Sequence, residues 1–191
     1  MSKSTQERII SATIELVKEN GYKGATTKAI AEKAGVNEVT LFRHFGSKKK
    51  IVEAAIQTYS SIDVISDAIK YKVVWDLQKD LCMLAGEYQR LLDSKKDVIL
   101  ISLKEAKSFP ELDKLISRLP IAYKEELMNY FSAMVEKGKL RNIDMDVSAT
   151  NFLFLNFGYF MLKARLSPEE GDMPTDEFIE KHITAFVSTL R

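Results

Sequence analysis

The sequence predicts an all-α protein with a small N-terminal module and a larger C-terminal one. Its 191 residues include eight glycines and four prolines, fewer than a chain of many short strands and turns would need. Apolar residues recur at spacings of three and four in long segments, which is the period of amphipathic helices. With 46% apolar residues, the chain can also bury a substantial core. These observations together favour helices packed on helices.

The first predicted helix begins at Ser4 and is expected to support the two helices that follow it. Ser4 and Glu7 have the spacing of a capping box, in which each side chain accepts a bond from the backbone N–H of the other residue. Asn20-Gly21 is expected to end the helix. Its apolar face consists of Ile9, Ala12, Thr13, Leu16 and Val17.

Residues 26–45 predict two short helices joined by a tight corner. Thr26 or Thr27 can cap the first of them, Gly35 stands where the chain must turn, and Asn37 can cap the second. The apolar residues that would hold the pair together are Ile30, Ala31, Ala34, Val36, Leu41 and Phe45. This is the helix-turn-helix arrangement, whose second helix enters the major groove of DNA. A helical corner alone also occurs in proteins that never bind DNA.

A fourth helix is predicted from Ser47 onward, with three lysines in its first turn. Ser47 is the expected cap, and Lys48, Lys49 and Lys50 follow it beside backbone N–H groups that lack helical partners. Three cations oppose the helix dipole there, and a bound phosphate would relieve that cost. A merely solvated run of charges is the alternative. We expect this helix to continue to about residue 66 and to link the two modules.

The C-terminal part predicts further helices, one of which is apolar on nearly every side. They are expected at Val74–Leu92, Asp97–Lys107, from Pro110 to a stop at Pro120, at Ile121–Lys137 before Gly138, from a cap at Asp146 through Ala149–Leu162, and, after a loop at Ser167–Pro174, at Thr175–Leu190. The run NFLFLNFGYFML within the penultimate helix is too short and too interrupted by Asn for a membrane. A second subunit is therefore its expected cover.

Charge and cysteine usage indicate the class of protein. Residues 1–50 contain ten Lys and Arg against five Asp and Glu, whereas the remainder contains eighteen against twenty-two. A basic N-terminal segment and an acidic remainder suit a module that binds phosphate joined to one that does not. Chance variation of surface charge is the alternative explanation of this pattern. The single Cys82 excludes an internal disulfide, and no apolar run suggests a signal peptide or a membrane span. We therefore expect a cytoplasmic protein.

No set of residues supports catalysis or metal binding. His44 and His182 are the only histidines and lie in different modules, so they cannot form a metal cluster with Cys82. Neither a catalytic triad motif nor a Gly-rich phosphate loop is present. Cys82 stands between Leu81 and Met83 without a cationic neighbour, which favours a buried thiol over an oxidant sensor. We predict that the protein is not an enzyme and needs no metal or cofactor.

The N-terminal motifs resemble those of the TetR family of bacterial transcriptional regulators. The residues that carry the resemblance are Asn20-Gly21-Tyr22, Thr26-Thr27, Ile30-Ala31, Ala34-Gly35-Val36, Thr40-Leu41-Phe42, Phe45 and Lys48. Phe42 departs from the family, which often has a Tyr there whose hydroxyl can contact a phosphate. The resemblance implies a helix-turn-helix DNA-binding domain at residues 1–47, a linker helix at about 48–66, and a helical ligand-binding and dimerisation domain at 48–191.

Resemblance and helix position together imply three groups of site residues. The candidate DNA contacts are Thr26, Thr27, Lys28, Asn37, Glu38, Val39, Thr40, Phe42, Arg43, His44 and Lys48. In the family the last two long helices pair with their copies as a four-helix bundle, and the candidate dimer surface here is Asn151, Leu155, Tyr159, Phe178, Phe186 and Leu190. Met and aromatic side chains suit an adaptable apolar pocket, whose candidates are Met83, Tyr88, Phe109, Met128, Phe131, Phe152 and Asn156.

Two functions remain open from the sequence. The first is a homodimeric repressor that a small hydrophobic effector releases from double-stranded operator DNA, with no membrane partner. A neutral or cationic effector is favoured over a nucleotide or sugar phosphate. The second is a helical small-molecule carrier or protein-interaction module that does not bind DNA. Steep salt dependence of binding to DNA separates the two, because neutralising phosphates releases counterions.

Overall fold

The computed structural model describes residues 4–59, 63–105, 117–165 and 173–190, and all of the regular structure in these residues is helical. The predicted all-α class is therefore confirmed. In chain order the helices are α1 (Thr5–Gly24), α2 (Thr27–Ala34), α3 (Glu38–Phe45), α4 (Lys48–Tyr59), α5 (Asp63–Lys72), α6 (Leu77–Ser94), α7 (Lys96–Glu105), α8 (Arg118–Glu136), α9 (Met145–Arg165) and α10. Helix α10 begins as Thr175–Phe178, passes through a π-helical turn at Ile179–Ile183 and ends as Thr184–Thr189.

The chain packs as two compact units. The first combines Met1–Ser61 with Lys95–Arg118, and the second combines Ile62–Ser94 with Leu119–Arg191. Helices α1 to α4 and α7 thus belong to the first unit, although α5 and α6 separate α7 from the others along the chain. None of the described helices is long and apolar enough to cross a membrane.

The start of α1 confirms the predicted capping box. The Ser4 hydroxyl accepts from the Glu7 backbone N–H at 3.2 Å, and the Glu7 carboxylate accepts from the Ser4 N–H at 2.7 Å. At the other end, Gly21 has φ +71° and interrupts the helix where the sequence predicted its end. The chain then makes one more turn, to Gly24, before α2.

The core of the first unit includes α7. Val98 and Ile101 of α7 are buried with Ile9 and Val17 of α1 and Val52 of α4. An ion pair between Lys18 and Asp97, at 2.8 Å, ties the same two helices at their exposed edge. The helix-turn-helix thus rests on α1, which α7 covers in turn.

Buried polar groups hold the helices of the second unit in register. Asp80 of α6 accepts from the Val74 backbone N–H at 2.8 Å and from the Tyr130 hydroxyl at 3.0 Å. Burial, with the neighbouring Asp80 charge, raises the pKa of the Tyr130 phenol. The Tyr123 hydroxyl donates to the Leu84 carbonyl at 3.2 Å. The two tyrosine bonds fix α8 against α6, and the Val74 bond fixes the segment before α6 to that helix. A buried polar group without a partner would cost about 1–3 kcal/mol.

Several predicted boundaries are corrected by the structure. Pro120 does not stop a helix but lies in the first turn of α8, where its missing N–H has no helical partner to lose. Asp144, not Asp146, caps α9 by accepting from the Val147 N–H at 3.0 Å. The stretch expected to form one linker helix holds α4 and the start of α5, and residues 60–62 between them lie outside the described residues, so the single linker helix stays a prediction.

Other predicted helix boundaries agree with the structure or fall on residues that the structure does not describe. Gly138, at φ +65°, follows the end of α8, and the N–H of Lys139 donates to the Met134 carbonyl at 2.9 Å. The helix start predicted at Pro110 lies outside the described residues. So does most of the loop predicted at Ser167–Pro174.

Replacing Gly35 by Ala should lower the free energy of unfolding by about 1–2 kcal/mol, because L-residues are strained at left-handed φ. Gly35 has φ +65°, and an added Cβ would lie 3.4 Å from an Arg8 guanidinium nitrogen. Urea unfolding followed by helical circular dichroism measures the change. The matched control is Gly86→Ala within α6, whose Cβ would make an ordinary 3.6 Å contact with Ile179. It should raise stability by about 0.5–1 kcal/mol, and equal losses in both variants would contradict the assignment.

Candidate nucleic-acid interface

The first turn of α3 is held rigidly and faces outward. The Asn37 side-chain oxygen accepts from the Thr40 backbone N–H at 2.7 Å, which confirms Asn37 as the cap. Leu41 is fully buried in the core of the first unit, whereas Val39 is 74% exposed. Because Cβ atoms on one turn point in fixed directions, anchoring Leu41 inward turns Val39 away from the protein.

Helix α2 is capped at its start and is joined to α3 by a tight turn with its own hydrogen bonds. The Thr26 hydroxyl accepts from the Ala29 N–H at 3.2 Å, so Thr26 rather than Thr27 caps α2. The N–H of Gly35 donates to the Glu32 carbonyl and that of Val36 to the Ala31 carbonyl, both at 3.0 Å. The orphan carbonyls at the end of α2 are thereby paired within the turn.

Most of the predicted DNA contacts lie at the surface. The exposed members are Thr26, Lys28, Asn37, Val39, Phe42, Arg43 and His44, and the half-buried members are Thr27, Glu38, Thr40 and Lys48. Thr26 and Asn37 have a structural task as well, because their side-chain oxygens cap α2 and α3. Whether any of these residues contacts DNA stays a prediction.

The predicted basic turn opens α4. The Ser47 hydroxyl accepts from the Lys50 N–H at 3.2 Å, which confirms Ser47 as its cap. The Lys48 ammonium donates to the Tyr22 carbonyl at 2.6 Å and lies 4.2 Å from the centre of the Tyr22 ring. Lys48 therefore ties the start of α4 to the last turn of α1, a contact that sequence spacing could not reveal.

A second lysine is bound within the first unit and belongs to its packing. Lys33 of α2 pairs with Glu15 at 3.0 Å and with Glu19 at 3.3 Å, both on α1. The hydrogen bond from Glu15 and the charges of both carboxylates raise the pKa of the Lys33 ammonium. This pairing neutralises basic charge on the side of α2 that meets α1.

In the second unit, the residues predicted to bind a ligand lie mainly inside a packed aromatic core. Tyr88, Phe131, Phe152 and Asn156 are buried, Met83 and Met128 are half-buried, and Phe109 lies outside the described residues. The Tyr88 and Tyr123 rings meet edge to face at 4.7 Å. Burial raises the pKa of the Tyr88 hydroxyl far above its ordinary value, so it stays neutral.

The same core contains a hydrogen-bonded amide pair, formed by Gln89 and the predicted pocket residue Asn156. Gln89 is fully buried and donates to the backbone and side-chain oxygens of Asn156 at 2.9 and 3.0 Å. The Asn156 amide in turn donates to the Phe152 carbonyl at 2.8 Å. The Gln89 side-chain oxygen has no hydrogen-bond partner among the described residues. It is a buried acceptor that a donor group could satisfy.

The predicted dimer residues separate into two groups. Asn151 is exposed, and Leu155 and Phe186 are half-buried, whereas Tyr159, Phe178 and Leu190 are buried within the unit. The Tyr159 ring stacks on Phe178 with centres 4.0 Å apart, and its hydroxyl donates to the Met173 carbonyl at 2.7 Å. These contacts place the second group in the interior of one subunit.

Helix α9 also has an exposed apolar face, whose apolar residues are not among the predicted dimer residues. Val147, Phe154 and Leu162 are 51%, 71% and 61% exposed. They fall at spacings of seven and eight residues, so they lie along one face with the exposed Asn151 and Gly158. The sequence could not single them out, because a helix with apolar residues on every side gives no periodic signal.

Metal and thiol chemistry find little support in the described part of the chain. It holds no group of three or more His, Cys, Asp or Glu that could bind a metal ion. The Cys82 thiol accepts from the Gln78 amide at 3.3 Å, and burial raises the pKa of the thiol. A raised pKa reduces the fraction of reactive thiolate.

In comparison with known proteins, the N-terminal and C-terminal parts of the chain both match profiles of transcriptional regulators. The family profile "Bacterial regulatory proteins, tetR family" matches residues 9–55, and the profile "AefR-like transcriptional repressor, C-terminal domain" matches residues 84–190. The sequence is 33% identical over 183 residues to the uncharacterized HTH-type transcriptional regulator YvkB of Bacillus subtilis (strain 168), covering 96% of this chain and 95% of that one.

Solved structures share the fold at lower identity. A putative fatty acid metabolism regulator from Clostridium perfringens superimposes with a TM-score of 0.75 at 18% identity, covering 96% of this chain and 98% of that one. The transcriptional regulator FadR from Bacillus subtilis, solved in complex with stearoyl-CoA, gives a TM-score of 0.74 at 20% identity with the same coverage. At such identities the likeness concerns the fold alone.

Lys48→Ala should lower the free energy of unfolding by about 1 kcal/mol, because a charge-assisted bond and a cation–π contact to Tyr22 are lost. Urea unfolding measures the change. Lys50→Ala is the matched control, since Lys50 is exposed in the same turn and its removal reduces like charge at a helix N-terminus. The control should leave stability unchanged or slightly raised. An equal loss in both variants would exclude the Tyr22 contact as the cause.

Proposed function

Because the chain belongs to the TetR family of bacterial regulatory proteins, we propose that it is a homodimeric repressor released from operator DNA by a small hydrophobic effector. The family consists of helix-turn-helix transcriptional regulators rather than enzymes. The observation that carries the proposal is the outward first turn of α3, capped by Asn37 and followed by the basic start of α4. Residues 1–47 would bind DNA, and residues 48–191 would bind the ligand and the second subunit.

The first turn of α3 would recognise the bases. Glu38, Val39 and Thr40 would face base edges in the major groove, where a carboxylate can accept from a cytosine amino group and an apolar side chain can contact a thymine methyl group. Val39 supports this role, because a 74% exposed apolar side chain on a short helix has no packing task. Arg43 and His44, one turn later, would lie closer to the sugar–phosphate strands of the DNA.

Phosphate contacts would fix the orientation of the protein without selecting sequence. The candidates are Thr27, Lys28 and the lysines that open α4. Lys48 remains a candidate although it binds Tyr22, because an ammonium group has three donors and can bind a carbonyl and a phosphate together. Phe42, exposed where the family often has Tyr, would contact the backbone only through its apolar ring.

A dimer would supply the second helix-turn-helix. One short helix makes too few contacts to distinguish one DNA sequence from another. Two such helices must lie about 34–36 Å apart to enter successive major grooves. The exposed face of α9 is the proposed adhesive surface, joined by Asn151, Leu155 and Phe186 from the sequence-derived set. Burying an exposed leucine or phenylalanine contributes about 1.5–3 kcal/mol each, so a few such residues matter.

The effector would occupy the core of the second unit. Its side chains favour a hydrophobic molecule. The Gln89 oxygen, which has no hydrogen-bond partner in the part of the chain that the structure describes, favours a molecule that also carries an N–H or O–H donor. FadR of Bacillus subtilis binds stearoyl-CoA, but at 20% identity that ligand does not transfer to this chain. A ligand can release DNA only through different affinities for two conformations, and a coupling of about 1–3 kcal/mol lowers operator affinity roughly 5–150-fold.

The test of DNA recognition begins with duplexes selected from a random pool by the wild-type protein. Glu38→Ala and Thr40→Ala should each lose about 1–3 kcal/mol on the selected operator and change the preferred base at one position. Lys28→Ala is the contrasting variant. It should weaken selected and random duplexes alike and lower the slope of log affinity against log salt by about 0.9. Failure of the wild type to select any duplex would favour a carrier instead.

The test of assembly uses a charge placed on the exposed face of α9. Phe154→Glu should convert the dimer to monomers at micromolar concentration and abolish operator binding while helicity is retained, because a carboxylate cannot be buried unpaired. Sedimentation equilibrium and gel shift measure the two effects. Ile121→Glu on α8 is the control, since Ile121 is 57% exposed outside this face. A monomeric wild type, or equal dissociation of both variants, would refute the surface.

A further inference from the structure

Trp75 lies in a strained turn beside a surface cavity of the second unit. It has φ +61° and is the one non-glycine residue with positive φ in the described part of the chain. That backbone conformation is strained for an L-residue, and such strain is kept where the surrounding structure imposes it. Trp75 is also the single tryptophan of the sequence.

Neighbouring side chains hold Trp75 in place. Its ring stacks on Tyr130 with centres 6.2 Å apart, and the Lys137 ammonium lies 4.4 Å from the ring centre. The Lys139 ammonium donates to the Trp75 carbonyl at 2.9 Å. The left-handed turn at Gly138 ends α8 and brings Lys139 to this position.

The cavity beside Trp75 has the size and lining of a small-ligand site. Its volume is about 330 Å³, within the range of ligand pockets. The lining residues are Trp75, Asp76, Leu77, Met134, Lys139, Leu140 and Arg141. Apolar side chains and one indole thus stand next to two cations.

The charge of this cavity is positive. Its one carboxylate, Asp76, is already bound, because it accepts from the Lys79 N–H at 3.1 Å and pairs with the Lys79 ammonium at 3.6 Å. Arg141 uses one guanidinium nitrogen to reach the Thr189 carbonyl at 3.2 Å, and the rest of its fork has no partner among the described residues. A planar guanidinium matches a carboxylate with two parallel bonds.

We propose that this cavity is a binding site for a small anion with an aromatic or apolar body, separate from the aromatic core assigned to the effector. The anionic group meets Arg141 and Lys139, and the apolar body lies on Leu77 and Leu140 beside Trp75. The site requires both parts of the ligand. A charged group without a ring lacks the apolar contacts, and a ring without charge leaves the cations solvated.

The emission of Trp75 reports binding directly, because the chain has no other tryptophan. Titration of the full chain with benzoate should give a saturable change in emission. Acetate, which has the carboxylate without the ring, and benzyl alcohol, which has the ring without the charge, should bind at least about tenfold more weakly. No saturable change with benzoate, or an equal response to benzyl alcohol, overturns the proposal.

Variants locate the site. Arg141→Ala should reduce benzoate affinity at least about tenfold, and Lys139→Ala should reduce it as well. Arg165→Ala, which removes the same charge from an exposed position at the end of α9, is the matched control and should bind benzoate as the wild type does. Calorimetric titration gives a second readout, since Lys139→Ala can alter the emission of Trp75 itself. Wild-type affinity in Arg141→Ala, with unchanged helicity, refutes the assignment.

Discussion

The left-handed turn at Gly35 is the constraint on which the candidate interface depends. Two residues after it, Asn37 caps α3, so the direction of α3 relative to α2 is fixed by three consecutive backbone conformations. The N–H groups of Gly35 and Val36 donate to the carbonyls of Glu32 and Ala31 in α2, which ties the turn to the end of that helix. The buried Ala31 and Ala34 have the small side chains that allow the two helices to approach closely. A rigid corner of this kind can present side chains to DNA with little entropy left to lose on binding.

Support for that corner comes from a part of the chain that follows it by about fifty residues. Helix α7 packs Val98 and Ile101 into the core that α1 shares with α2, α3 and α4. The first unit is therefore not a contiguous segment, and α6 runs directly into one of its helices through Lys95. Any rearrangement at the end of α6 would reach the first unit through this covalent connection. That is a physical route by which ligand binding and DNA binding can be linked.

The second unit combines an aromatic core with buried polar bonds between its helices. Asp80 and the Gln89–Asn156 pair cannot pack in an arbitrary register, because each requires partners in particular positions. Apolar packing alone would tolerate several arrangements of similar energy. The polar bonds select one of them, and among the described residues the Gln89 side-chain oxygen has no hydrogen-bond partner.

The sequence by itself determined the helical class, the helix-turn-helix at residues 26–45 and most of its caps. These features depend on contacts between residues three or four apart, as in Ser4 with Glu7, Asn37 with Thr40 and Ser47 with Lys50. Such local pairs are visible in spacing and residue type. The cap of α9 was misplaced by two residues, since Asp144 and Asp146 are both suitable caps and only the path of the chain distinguishes them.

Tertiary structure decided what distant residues do together. Lys48 binds Tyr22, α7 joins α1, and Tyr159 with Phe178 turns inward while Phe154 and Leu162 stay exposed. No periodic pattern indicates these outcomes. In a helix that is apolar on every side, the side chains that become buried are those that other helices cover. Those helices are distant along the chain, so the local sequence cannot indicate which side they cover.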